Sequence, residues 1–305
     1  MRDLYEPYAE TVDVVMDSDT YAEVDDQYAM SVMLSSPEKF NVRAIFAAPF
    51  EGTTPQEGME KSYAEILHLL DLLNMSERRD MVFRGSRDYL KDETTPQDSD
   101  AARRLAELAT EYTPERPLYV IAIAAITNIA SAILLKPEIA DRICVVWLGG
   151  HAYSWHTQEE FNLKQDIAAA RVVFRSGCRI VHVPCCGVVD HYLTSAPELR
   201  YWLEGKNPLC DYLVHYTIEQ TEIYAKGTPW SRVIWDVCAV SWFWSQTGYK
   251  GRKTLYCRKT KKPLPTYDYS YSFDEDLGDY MYVDAIDRDA IFQLMVDKLT
   301  GNDKD

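Results

Sequence analysis

The chain has 305 residues, of which 47% are hydrophobic and 26% charged, and its formal charge is −16. That length builds one large α/β domain or two smaller ones, and no apolar run approaches the roughly 20 residues of a membrane span. The acidic balance argues against nucleic-acid backbones and anionic membranes as partners, because phosphate recognition needs a basic patch.

The opening Met1-Arg2-Asp3-Leu4-Tyr5-Glu6 lacks the apolar centre of a secretory leader, so a cytoplasmic protein is the expectation. The seven cysteines are odd in number, lie mostly in apolar segments and form no CxxC pair. They read as reduced thiols and not as a zinc ribbon. Cys186, beside Cys185, reads as a small hydrophobe, with a nucleophile as the alternative.

The first apolar run, 12–16, predicts a buried strand, and 28–34 predicts a helix. Between them Asp17, Asp19, Asp25 and Asp26 lie within ten residues. The acids therefore sit where a strand leaves a sheet and a helix begins, the edge at which open α/β sheets bind ligands. One such Asp is explained as a helix cap. Four close carboxylates repel one another unless a positive charge holds them, and a hard divalent cation takes oxygen ligands.

Further strands are predicted at 42–48, 81–83, 118–124, 143–148 and 179–184, with helices at 27–34, 58–73, 99–111, 128–135 and 166–175. This alternation predicts an open, mainly parallel, Rossmann-like α/β sheet flanked by helices. Right-handed crossovers bring the strand ends to one edge. The second half reads as more helical, near 197–204, 211–225, 237–244 and 287–299. The basic run 250–262 reads as solvated surface, and the Tyr-rich stretch 267–282 as an interface or a lid. With no repeat, no Gly/Ser linker and no Gly-rich phosphate loop, one domain over 1–305 is expected.

Three more stations fall on that edge. Thr127-Asn128 reads either as a helix cap or as a strand end whose backbone carbonyl binds a cation. Glu160 and Asn162, two apart, point the same way in extended chain and suit sugar hydroxyls; the alternative is a surface loop with a cap. Asp236, between Trp235 and an apolar helix, reads as an N-cap or as a distant carboxylate completing a metal site.

Together these stations resemble the inosine–uridine-preferring nucleoside hydrolase family over about residues 12 to 300. Its D-x-D-x-x-x-D-D motif corresponds to Asp17-Ser18-Asp19 and Asp25-Asp26, and its L-T-N to Ile126-Thr127-Asn128. Its M-G-G corresponds to Leu148-Gly149-Gly150, its E-F-N to Glu160-Phe161-Asn162, and its late Asp to Asp236. The resemblance implies a nucleoside hydrolase-type fold, a nucleoside substrate, a homodimer or homotetramer, and a bound Ca²⁺. It implies Asp19, Asp26, Asp236 and the Thr127 carbonyl as metal ligands. It implies Asp25 on the ribose 2′-hydroxyl, Glu160 and Asn162 on other ribose hydroxyls, and Asp19 as base for a metal-bound water that attacks the anomeric carbon. Oxocarbenium-like charge would then develop among carboxylates.

The chain departs from that pattern in three places. The loop between the Asp pairs holds five residues, 20–24, where the motif holds three, and it adds Glu23. Trp235 stands where many members carry a His that protonates the leaving base. Stacking of Trp235 on a purine is the alternative activation, with Trp155, Trp230 or Tyr224 assisting and His151 and His156 as candidate acids. Two Asn residues of the pattern are missing, one after the second strand, where Glu51 is the substitute, and one between Gly150 and Glu160. Two other readings stand beside nucleoside hydrolysis: the same fold and metal on another glycoside, or a weakly active nucleoside or pentose binder.

Overall fold

The computed structural model of the protein describes residues 5–7 and 9–302. Residues 1–4, read above for a leader, lie outside them. Among the described residues no helix is long and apolar enough to cross a membrane.

The elements alternate as the sequence predicts. In order they are β1 (Val12–Ser18), α1 (Asp25–Leu34), β2 (Phe40–Ala47), α2 (Pro55–Leu72), β3 (Val82–Arg84) and α3 (Asp100–Leu108). Then come β4 (Leu118–Ile123), α4 (Thr127–Leu135), β5 (Ile143–Leu148), α5 (Phe161–Gln165), α6 (Ile167–Arg175) and β6 (Arg179–Val183). The rest is β7 (Leu193–Thr194), α7 (Ala196–Trp202), α8 (Pro208–Ala225), β8 (Arg232–Val233), α9 (Val237–Ser241), β9 (Leu255–Lys261), β10 (Leu264–Pro265), β11 (Tyr271–Ser272), β12 (Asp279–Ile286) and α10 (Arg288–Thr300).

The main sheet has eight strands in the order β3-β2-β1-β4-β5-β6-β12-β9. All neighbours run parallel except β12 and β9. The order reverses between β1 and β4, where Asp17 pairs with Ala122 and Ser18 with Ile123. Connections leave that point in opposite directions and open a crevice beyond the strand ends.

Alternate strand residues feed two cores. Val14 and Met16 of β1 join Tyr28, Met33 and Trp242 on one face. Val15 joins Phe46, Leu105, Ile129 and Phe174 on the other. Each such side chain contributes about 1.5–3 kcal/mol of burial. All ten residues of α1 are buried, with α9 and α10 packed against it.

Two expectations are corrected. The basic run 250–262 is not merely surface: β9 lies within it as the antiparallel edge strand. Its Arg258, Lys259 and Lys261 stay out in solvent, the usual protection of an exposed sheet edge. The stretch 267–282 is not wholly lid or interface: Tyr280, Met281 and Tyr282 belong to β12, a buried inner strand.

Candidate active site

Helices away from the crevice are capped as their sequences dictate. Thr54 caps α2, Ser99 caps α3, Asn207 caps α8 and Asp287 caps α10, each by accepting a backbone N–H. The acids at the crevice behave differently. Asp25 and Asp26 lie inside the first turn of α1, whose N-cap position is Val24 and carries no capping side chain. Asp236 occupies the N-cap position of α9, yet its side chain makes no capping bond among the described residues. The cap explanation fails for all three.

Their carboxylates face one another instead. One oxygen from each of Asp25, Asp26 and Asp236 falls within 4.8 Å of the other two. Asp26 is oriented by the Ser18 hydroxyl, which donates to its Oδ1 at 2.6 Å. Asp19 closes the group from the end of β1, and its Oδ2 is buried with no hydrogen bond from any described residue. Burial pushes the Asp19, Asp26 and Asp236 carboxyls well up, and each is raised further by its charged neighbours. Burial, then the charge of Glu23, raises Asp25 to about 7, and Arg232 opposes that rise. Arg232 also pairs with Glu23 at 2.8 Å. It is the residue that sequence reasoning missed: a lone Arg four positions before Asp236 that ties the long 20–24 loop to the approach to α9.

Asp17 stands beneath the cluster. Asn128 donates to its Oδ1 at 2.8 Å, and Asn128 Oδ1 accepts from the backbone and hydroxyl of Ser86. One amide thus joins the ends of β1, β3 and β4. Burial still raises Asp17 to about 7. Gly85 is required here, since a Cβ would lie 2.1 Å from the Ala47 carbonyl oxygen.

The aspartates form one wall of a cavity of about 230 Å³, which Trp235 and Glu23 also line. The cavity is also lined by Leu148, His151, Glu160 and Asn162, from the β5 end and the start of α5, and by Cys185 and Cys186, which follow β6. Glu160 is a true cap, accepting from Asn162 N and Leu163 N at 3.0 and 2.9 Å and from Gly150 N at 2.8 Å. It is nonetheless buried rather than solvated. Gly150 turns with φ +69, where an added Cβ would meet the Tyr271 hydroxyl at 2.3 Å. Asn162 donates to the Leu148 carbonyl at 3.0 Å. Burial holds the Cys185 and Cys186 thiols up, against a thiolate nucleophile at neutral pH.

Two expected residues are not brought to this cavity. Thr127 opens α4, and its hydroxyl donates to Asp166 at 2.6 Å. The strand end that lines the cavity is Ile123, four residues earlier and paired with Ser18. Glu51 lies at the surface against Lys164, 3.3 Å away, and does not replace the missing Asn. Of the auxiliary aromatics, Tyr224 contacts Arg232 on the outer side, Trp230 packs on the core, and Trp155 is partly exposed beside His151.

The donor set fits a hard divalent cation. It is all oxygen, buried, mutually repulsive, and includes a carboxylate oxygen without a partner.

Comparison with known proteins places these features in context. A family model described as inosine-uridine preferring nucleoside hydrolase matches residues 14–263. The pyrimidine-specific ribonucleoside hydrolase RihA of Klebsiella pneumoniae is 26% identical over 246 residues, 72% of this chain and 75% of that protein. The enzyme of the same name from Shigella boydii is 24% identical over 312 aligned positions, 90% of this chain and 94% of its own. Among solved structures, a purine-preferring ribonucleoside hydrolase from Gardnerella vaginalis superposes with a TM-score of 0.74 at 19% identity, covering 95% of this chain and 98% of that one. A plant nucleoside hydrolase, PpNRh1, gives a TM-score of 0.73 at 17% identity, covering 95% and 99%.

Proposed function

This chain belongs to the inosine-uridine preferring nucleoside hydrolase family, and from that membership we propose that it splits ribonucleosides into base and ribose at a Ca²⁺ site built by Asp19, Asp26 and Asp236. That it is an N-glycosyl hydrolase follows from the family; the cation and the roles of single residues are our reading. The observation that carries it is the close approach of buried, uncapped carboxylates at the point where the strand order reverses.

In this reading Asp19, Asp26 and Asp236 would hold the Ca²⁺, which would supply neutralising charge to the cluster and acidify the attacking water. Backbone at Ile123, rather than Thr127, is the nearer source of a carbonyl ligand. Asp25 accepts from the ribose 2′-hydroxyl. Glu160, its oxygens already pointed by three backbone N–H groups, and Asn162 hold further sugar hydroxyls. Asp19 takes the proton of the attacking water. Positive charge growing on the sugar is stabilised by carboxylates whose positions are set before substrate arrives. Trp235, which lines the cavity, stacks on the departing base. The names of the relatives divide between pyrimidine and purine substrates; an indole platform favours purines.

Reducing-sugar release from purine and pyrimidine ribonucleosides, with base identified by chromatography, tests the reading. Release that Asp19→Asn lowers by at least about a thousandfold supports it. Equal, trace release by both proteins would leave a nucleoside binder.

A further inference from the structure

The inner strand β12 brings a buried hydroxyl against a buried imidazole. The Tyr280 oxygen lies 3.1 Å from His182 Nδ1 on the neighbouring strand β6, and both residues are fully buried. His182 Nε2 lies 2.7 Å from the carbonyl oxygen of Gly149, just past the end of β5. Tyr280 also shares a hydrogen bond with the hydroxyl of half-buried Tyr153. Tyr153, His182 and Tyr280 are all outside the cavity lining.

Chemistry fixes the direction of each bond. A carbonyl oxygen only accepts, so the proton of the neutral imidazole sits on Nε2 and points at Gly149. The ring is neutral at neutral pH because burial lowers its pKa to about 4. Nδ1 then carries a lone pair and accepts the Tyr280 proton. With its own proton committed, Tyr280 accepts from Tyr153. The opposite tautomer would set an Nε2 lone pair against the Gly149 oxygen at 2.7 Å, a repulsion that a proton from Tyr271, 3.4 Å away, would not remove.

The Gly149 carbonyl belongs to the same peptide unit as the Gly150 N–H, which donates to Glu160 Oε2 at 2.8 Å. Donors therefore run one way, from Tyr153 to Tyr280, to His182, to the 149–150 peptide and onto the Glu160 carboxylate. Bonds aligned in one sense polarise one another, and the last acceptor here is a charge. The peptide in the middle needs such holding. It lies between two glycines, with Gly150 at φ +69, so no side chain of its own resists rotation. Its flanks are tied by backbone: Gly149 N–H donates to Val183 at 3.3 Å, and the Gly150 carbonyl accepts from Cys185 at 2.9 Å. A half-turn of the peptide between those ties would aim its carbonyl at the Glu160 carboxylate and its N–H at the His182 N–H. His182 stacks on Trp147 and on Tyr280, which keeps the ring from turning away. We infer that His182 and Tyr280 are positioning residues that hold the 149–150 peptide, and through it the Glu160 carboxylate, in one orientation. The hydrogen-bond chain stands on geometry; its consequence for substrate, a sugar hydroxyl held by Glu160, rests on the nucleoside-hydrolase reading above.

Gly149-Gly150 is the one pair of adjacent glycines in the sequence. Full-length protein made with glycine carrying carbon-13 at its carbonyl and nitrogen-15, and with unlabelled serine supplied, gives one cross-peak in an NMR spectrum that links each amide to the preceding carbonyl. That peak reports this peptide alone. Tyr280→Phe, which removes one hydroxyl and keeps the ring, should move both its carbonyl and its amide-proton shift. His182→Phe should move it further, and His182→Gln, which keeps an N–H donor, should bring it back toward the parent position. A peak that Tyr280→Phe leaves in place overturns the inference. In kinetics Tyr280→Phe should raise KM for uridine and inosine by about fivefold, the worth of one net hydrogen bond, with kcat held within about twofold. Beside Glu160→Gln the same substitution should raise KM no further, because its effect runs through that carboxylate. A rise that persists undiminished beside Glu160→Gln, or a loss confined to kcat, marks general loosening of the fold and also overturns the inference. A parent protein inactive on every nucleoside overturns the function instead, and the cross-peak then decides the positioning role without turnover.

Discussion

Asp236 holds the N-cap position of α9 but turns its carboxylate away from that helix and onto Asp25. A helix end forgoes its capping bond so that two buried acids can meet. Without a cation that contact is costly, because burial and the charges of Asp25, Asp26 and Asp19 all raise the Asp236 carboxyl. Removing the charge should then help the bare protein and harm the enzyme. Asp236→Asn is expected to stabilise the chelator-treated protein at pH 8 by about 1–3 kcal/mol, on the scale of one unsatisfied buried polar group. It should also abolish the stabilisation that Ca²⁺ gives the parent. Thermal unfolding with chelator and with Ca²⁺ measures both effects.

The same carboxyls predict how metal-free stability varies with pH. Asp17 and Asp25 are raised from 3.8 to about 7. A carboxyl whose folded pKa is raised binds more protons in the native state, so its contribution is fully present below about pH 4 and is lost as pH climbs through 7. The melting temperature in chelator should therefore fall between pH 5 and 8, with each such group worth a few kcal/mol. Saturating Ca²⁺ should flatten the slope, since the cation favours the ionised acids. A chelated protein that gains stability over that range would refute the placement of the raised groups.

Trp235 lines the cavity and is only partly buried against the core, so in the proposed function it is the stacking partner of the base. Base–aromatic stacking is worth about 1–3 kcal/mol. Trp235→Ala should therefore cut kcat/KM for inosine by about tenfold or more, with a smaller loss for uridine and almost none for p-nitrophenyl riboside. Equal losses on all three substrates would make Trp235 a packing residue.

Glu160 satisfies the N–H groups of Gly150, Asn162 and Leu163 with two oxygens. Glu160→Ala orphans all three and should destabilise the protein by roughly 2–4 kcal/mol in urea unfolding. Glu160→Gln keeps one acceptor oxygen and should lose less stability, while still raising KM for the sugar.

Much of this arrangement is legible in the chain. Asp17, Asp19, Asp25 and Asp26 stand out because side-chain type and spacing are both unusual, and apolar runs such as 143–148 mark parallel strands buried on both faces. Features carried by the backbone are not legible. Ile123 lines the cavity but shows only a strand-end Ile in sequence, whereas the nearby Thr127 carries a polar side chain. The strand β9 carries four charged or aromatic side chains toward solvent and pairs through its main chain, so its composition imitates a loop. Arg232 is invisible as a site residue until the fold sets it against Glu23 and Asp25, more than 200 positions earlier.

The most direct measurement is nucleoside hydrolysis by protein stripped with chelator, then titrated with Ca²⁺ while bound metal is counted. Activity that vanishes on stripping and returns in proportion to one Ca²⁺ per chain is the predicted result. Undiminished hydrolysis by demonstrably metal-free protein would contradict a metal role for Asp19, Asp26 and Asp236.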